Sequence, residues 1–258
     1  MSAPASSRRP TVLLPRPVGR GEELSDRLHA LGYSVDHHPF VELVLEHDAD
    51  MAEAVEDLAA GRFTHLVVTS PRTVDALSWF DGGADTGTSV MFAVPQGTEV
   101  WAVGETTAQA LQARGVQPTM VAAGSGKALV QEAPPAPEGA RVLLPASSAA
   151  APTVPEGLRA KGYTVQQEVA YRPRTCEIDP EVVLGLRRGD YAAIVLTSSM
   201  IATLAGHFAV HESIKVVTIG APTTAAAEAA NLHVHAQSDK PSDAALAEAV
   251  HALLKEPS

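Results

Sequence analysis

Val12-Leu13-Leu14-Pro15, near the start of the chain, recurs as Val142-Leu143-Leu144-Pro145. At the same offset and without a gap, Leu28, Gly32, Tyr33 and Val35 recur as Leu158, Gly162, Tyr163 and Val165. An apolar run ending in a turn, a helix-length stretch closed by Gly and a second β-branched run read as strand–helix–strand, so one such unit occurs twice. Two further pairs extend the repeat. Thr69-Ser70 after His65-Leu66-Val67-Val68 matches Thr197-Ser198 after Ala193-Ile194-Val195-Leu196. Val103-Gly104-Glu105-Thr106-Thr107-Ala108 matches Ile219-Gly220-Ala221-Pro222-Thr223-Thr224-Ala225 with one residue inserted. Two copies of one α/β unit, each with about five strands, have the size of two open doubly wound sheets.

Working outward, strand candidates fall at 11–14, 34–37, 64–69, 99–103, 118–122, 141–144, 164–169, 191–197, 215–219 and 232–235. Helix candidates between them include 20–31, 49–60, 72–80, 106–114, 154–161, 181–188, 223–230 and 243–255. Helical crossovers imply parallel strands. Residues 81–97, rich in Gly and Thr, and 133–139, with Pro134, Pro135 and Pro137, read as loops that resemble domain linkers. The repeat by itself allows two contiguous halves split near Ala136.

The 258-residue chain carries 19 Lys and Arg against 30 Asp and Glu, a formal net charge of −11. Such a balance offers nucleic acid no general attraction. Hydrophobic residues make up 45% and charged residues 19%, and no run approaches the ~18 apolar residues of a membrane-spanning helix. Cys176 is the single cysteine, which excludes an internal disulfide or a multi-thiolate zinc site and fits a reducing compartment. The opening residues 1–10 lack the apolar core of about seven to fifteen residues of a secretory signal, so the cytoplasm is the expected location.

In doubly wound sheets, ligands bind beyond the carboxyl ends of strands, where helices begin with unpartnered N–H groups. Six turns fall there: Pro15-Arg16-Pro17, Thr69-Ser70-Pro71, the Gly104–Thr107 turn, Ser147-Ser148, Thr197-Ser198-Ser199 and the Gly220–Thr224 turn. Helix starts and hydroxyls favour carboxylates or phosphates, each helix start contributing roughly 0.3 to 1 kcal/mol. Ser and Thr are also ordinary N-caps, so the repetition on both halves carries the ligand reading.

Several other chemistries are excluded. Gly124-Ser125-Gly126-Lys127 fails as a phosphate loop, because Val121 stands where the first glycine belongs and Ala128 follows the lysine. No G-x-G-x-x-G follows the first strand, so a dinucleotide cofactor is not expected. Ser70 and Ser198 lie outside any G-x-S-x-G elbow. His37-His38 and His233-x-His235 lack further ligands at metal spacing, and Cys176 reads as an ordinary loop thiol. No metal or other cofactor is expected.

The ordered set of motifs resembles the uroporphyrinogen-III synthase family. It comprises the opening VLLPRP, VVTSPRTV at 67–74, AVGETTAQAL at 102–111, GYTVQQEVAYRPR at 162–174, IVLTSS at 194–199 and IGAPTTAAAEAANL at 219–232. The resemblance implies two flavodoxin-like α/β domains with doubly wound parallel sheets, joined by a two-segment hinge. Residues 1–38 with 174–258 would form one domain, 42–169 the other, and 39–41 and 170–173 the linkers. It thereby decides between the two divisions that the repeat allows.

The reaction implied is cyclisation of hydroxymethylbilane to uroporphyrinogen III, with loss of water and inversion of ring D through a spiro intermediate, in haem biosynthesis. The substrate carries an acetate and a propionate on each ring. A cleft of helix starts and hydroxyls, rather than lysines, could hold it despite the net charge. By motif position, Tyr171 would donate the proton to the departing hydroxyl, and Arg16, Thr69, Ser70, Thr106, Thr107, Ser198, Ser199, Thr223 and Thr224 would bind substrate. Pro15 replaces the family's usual Thr, and the turn after Pro145 lacks the basic residue that many members keep. The implied protein acts as a monomer without a cofactor, membrane or nucleic acid, in transient contact with the enzyme that supplies its substrate. The alternative from another class is a non-catalytic synthase-like domain that senses a tetrapyrrole or another polycarboxylate.

Overall fold

The computed structural model describes residues 9–79 and 93–255. The chain opens with β1 (Thr11–Leu14), α1 (Glu22–Ala30), β2 (Ser34–His37) and β3 (Val41–Leu45). Next come α2 (Ala49–Ala59), β4 (His65–Val68), α3 (Pro71–Trp79), β5 (Glu99–Val103), α4 (Glu105–Gln112), β6 (Met120–Ala122) and α5 (Gly126–Glu132). β7 (Arg141–Ser147), α6 (Thr153–Ala160) and the long β8 (Thr164–Thr175) follow. The chain continues through α7 (Pro180–Arg188), β9 (Ala193–Leu196), α8 (Ser199–Gly206), β10 (Lys215–Thr218), α9 (Ala221–Ala229), β11 (Ala236–Gln237) and α10 (Asp243–Lys255).

Two compact units result, one from residues up to Glu42 together with those from Arg174 onward, the other from Leu43–Pro173. The first has a parallel sheet in the order β2-β1-β9-β10-β11. Numbered along the chain, that is 2-1-3-4-5, the flavodoxin-like order. The second sheet runs β3-β8-β7-β4-β5-β6, and its five strands from β8 to β6 are parallel. Its β7-β8 pair corresponds to β1-β2, and β4, β5 and β6 correspond to β9, β10 and β11. The second unit is therefore a circular permutation of the first, which is why the sequence repeat shows two fragments in swapped order.

The repeated residues do the same work in each unit, because successive side chains of a strand face opposite sides of its sheet. Val12 and Leu14 pack with Leu24 and Leu28 of α1 and Leu246 and Val250 of α10, while Leu13 joins the cluster of Ile201 and Ala205 on the other face. Likewise Val142 and Leu144 pack with Leu129 of α5 and Leu158 of α6, while Leu143 joins Met51, Leu58, Leu77 and Leu111. Both faces of each sheet are covered, so the strands read as continuous apolar runs.

Three elements depart from the sequence reading. Residues 232–235 are not a strand: Asn231 takes a left-handed backbone (φ 62°) and Leu232 N bonds back to Ala227 O, closing α9. His235 N bonds Val216 O while its ring accepts from Val216 N, and the regular ladder to β10 starts at Ala236. Unforeseen β3 lies at the edge of the second sheet, beside β8. Glu46 N bonds Ala170 O and Cys176 N bonds Phe40 O, so the pairing retreats along β8 as β3 advances, and the two run antiparallel. Residues 170–173, read as an extended linker, are extended here too, in the part of β8 that ends at the boundary between the units. Helix α5 was also unforeseen; Ser125 caps it by accepting from Ala128 N. The loop expected at 133–139 has no regular structure, and 81–92 of the other expected loop lie outside the described residues, as does Phe80 at the end of the 72–80 helix.

Candidate functional site

In the second unit the strand order reverses between β7 and β4, and the turns after these strands lie at the carboxyl edge. A cavity of about 370 Å³ opens there. Thr69 after β4, Val103 of β5, Ala146 of β7 and Gln167 of β8 form its floor, with the start of α5 (Gly124–Lys127) and of α6 (Thr153–Pro155) above. Gly104 has a left-handed φ of 77°, and a Cβ there would meet the Cα of Gly124 at 3.4 Å; two glycines thus bring the turns after β5 and β6 together. Among the described residues no carboxylate lines the cavity and Lys127 is its one cation.

The predicted residues of this unit divide by exposure. Thr69 is half-buried at the cavity and Thr106 is exposed at the start of α4. Ser70 and Thr107 are buried; the Ser70 Oγ accepts from Arg72 N at 3.2 Å, an ordinary local cap. Tyr171 stands half-buried on β8, paired with Ser147 of β7, and its ring packs against the α2–α3 side of the core. Its hydroxyl has no hydrogen-bond partner among the described residues. Arg172 beside it pairs with Glu46 at 2.8 Å.

In the first unit the switch point lies between β1 and β9. Arg16, just beyond β1, is bonded through Nη1 to Asp243 Oδ1 at 2.6 Å, with the two side chains only 13% and 16% exposed. Sequence reasoning missed that partner. Ser198 caps α8 by accepting from Ile201 N at 3.2 Å, and the exposed Ser199 donates to Pro222 O. Thr223 is buried, while Thr224 Oγ1 bonds Thr218 Oγ1 at 2.6 Å and donates to Gln237 at 2.8 Å. These hydroxyls sit at the carboxyl ends of β9 and β10, as the repeat requires.

The other reactive groups lie elsewhere. His233 and His235 stack edge to face beside a groove that also holds His211 and Glu212, at the amino end of β10. Among the described residues, no three His, Cys, Asp or Glu side chains are grouped to hold a metal ion. Burial first, then the charge of Glu42, raises the Cys176 pKa, so this thiol is not activated. No described helix is long and apolar enough to cross a membrane.

Two flavodoxin-like units, each with hydroxyl-bearing turns at the carboxyl edge of its sheet, define a two-unit α/β protein with the architecture of solved uroporphyrinogen III synthases. The Helicobacter pylori uroporphyrinogen-III synthetase structure has a TM-score of 0.64 at 17% identity, covering 95% of this chain and 99% of that one. A mutant uroporphyrinogen III synthase from Thermus thermophilus gives 0.60 at 20% identity, covering 95% and 99%. Comparison with curated proteins gives no match. The family model described as uroporphyrinogen-III synthase HemD matches residues 22–248, and the chain belongs to that family.

Proposed function

We propose that the chain closes hydroxymethylbilane to uroporphyrinogen III, as a cytoplasmic monomer, with residues 1–38 and 174–258 as one domain, 42–169 as the other and 39–41 and 170–173 as linkers. The family match over 22–248 is the observation that carries this reading. The reaction loses one water and has no net redox change: the terminal C–O bond breaks with a proton delivered to the departing oxygen. The ring-D α-carbon that bears the existing bridge attacks the resulting azafulvene. The spiro intermediate then breaks its old C–C bond and recloses at the other α-carbon, releasing a proton. All reacting carbons belong to the substrate, so the protein's share is proton delivery, positioning and suppression of uninverted closure.

Tyr171 is the proposed proton donor, supported by its half-buried place on β8 and a hydroxyl without a hydrogen-bond partner among the described residues. The accessible Thr69, Thr106 and Ser198 are the proposed carboxylate donors, while Ser199 and Thr224, whose protons go to Pro222 O and Gln237, would hold their turns in shape. Buried Ser70, Thr107 and Thr223 shape those turns instead. Arg16 is held by Asp243 and would position the turn after β1.

The test is consumption of freshly generated hydroxymethylbilane. Added protein is expected to accelerate it well beyond spontaneous closure, and an unchanged rate would refute the function. Tyr171→Phe keeps the ring and removes the donor, so kcat should fall by about 10²-fold with a smaller change in KM. Near-wild-type kcat at an unchanged Tm would make Tyr171 a packing residue.

A further inference from the structure

At the switch points the two units differ by one exchange. In the first, the residue beyond β1 is Arg16 and the first residue of α10 is Asp243, and their side chains pair. The corresponding residues of the second unit are Ala146, in the repeat position of Arg16, and Gly126, the first residue of α5. The helices correspond at their caps: Ser242 Oγ accepts from Ala245 N as Ser125 Oγ accepts from Ala128 N. Both members of the ion pair are thus missing from the second unit, and the cavity of about 370 Å³ lies there.

A carboxylate of the protein's own at position 126 would come at a cost, because its Cβ would fall 2.6 Å from Val154 Cγ2 and displace that side chain. Lys127 follows it on the cavity wall, exposed and without an ion pair or hydrogen bond among the described residues. Ser125 spends only an oxygen lone pair on its cap and keeps its proton to donate.

We propose that this cavity is a carboxylate subsite: an acidic arm of the ligand occupies the place that Asp243 fills in the twin unit, with Lys127 as counter-charge and the Ser125, Thr69 and Thr153 hydroxyls as donors. The proposal rests on the tetrapyrrole reading and deepens it by assigning one pyrrole's acidic arms to one unit. The cavity's size falls within the ~300–1,000 Å³ range of small-ligand sites, and a ring with short acid chains fits that class.

The test has two arms, each on the full chain, its Lys127→Ala variant and its Lys127→Arg variant. One is an NMR titration with a monopyrrole carrying an acetate and a propionate arm. The other is KM for hydroxymethylbilane. The monopyrrole should shift the amide signals of residues 124–127 and 153–154. Lys127→Ala should weaken its binding about tenfold, equivalent to ~1.4 kcal/mol, with a parallel rise in KM, and Lys127→Arg should restore most of it. Binding unchanged within about twofold in Lys127→Ala, or inorganic phosphate binding there more tightly than the monopyrrole, would overturn the proposal. A chain that binds the monopyrrole through Lys127 yet leaves hydroxymethylbilane untouched would retain the subsite and lose the function; normal turnover with no Lys127 effect would do the reverse.

Discussion

The two units share one plan and differ in how each treats its switch point. The first fills the place with an internal ion pair, Arg16–Asp243; the second leaves Ala146, Gly126 and an open cavity with one lysine. The amino ends of the sheets diverge as well. Tyr191 of the first unit donates to Asp36 at 2.7 Å, where the second has Phe63 under Arg141 and Gln166 in the register of Asp36. His65 is enclosed by Trp101 and Tyr163, where the first unit has Ala193. A duplicated fold keeps its apolar strand residues, and the polar positions at strand ends are those free to specialise.

Removing the ion pair's carboxylate should have the largest effect on stability. Asp243→Ala leaves the Arg16 guanidinium mostly buried and unpaired, a loss of about 3 kcal/mol, whereas Arg16→Ala/Asp243→Ala should cost less than that single change. Both tryptophans, Trp79 and Trp101, belong to the second unit. The loss should therefore appear in urea melts followed by circular dichroism and leave the tryptophan fluorescence transition in place. Equal damage from the single and double variants would deny the pairing its role.

Importing the carboxylate into the second unit is next. Gly126→Asp drives its Cβ into Val154 and should cost about 2 kcal/mol by over-packing, now in the fluorescence transition. Tyr191→Phe removes one hydrogen bond to a carboxylate and makes the first unit resemble the second there; about 1 kcal/mol is expected by circular dichroism.

The smallest effect is the pH dependence that His65 gives the second unit. Burial lowers the His65 pKa below its ordinary 6.5, only partly opposed by Glu99. The unfolded chain then binds the proton more readily than the native one, so stability present above about pH 6.5 is lost as pH falls through the native value. His65→Gln should flatten this slope in the fluorescence-detected melts. A slope unchanged by the substitution would assign it to other groups.

The repeat made the parallel strands legible, because buried strands need apolar residues at fixed places whichever unit they build. β3 is not legible in the sequence because Val41–Leu45 lies outside the repeat and gains its place only by pairing with β8, a partner far along the chain. The role of Lys127 was illegible for a similar reason. Gly124-Ser125-Gly126-Lys127 fails every local phosphate pattern, and only the crossover from β6 to α5 carries it to the end of β7. Asp243 lies 227 positions from Arg16, and neither residue signals the other. The hydroxyl turns were visible as types and positions, but only packing shows that Ser70, Thr107 and Thr223 are buried while Thr106 and Ser199 are exposed.

The isomer of the product tests the central claim most directly. Hydroxymethylbilane closes spontaneously to the uninverted ring, so inversion of ring D requires the protein to direct the attack. Protein dialysed exhaustively against a chelator is added to freshly generated hydroxymethylbilane, and the type I and type III products are separated by chromatography. The expected result is predominantly type III, undiminished by the dialysis. Type I alone, at the spontaneous rate, would contradict it.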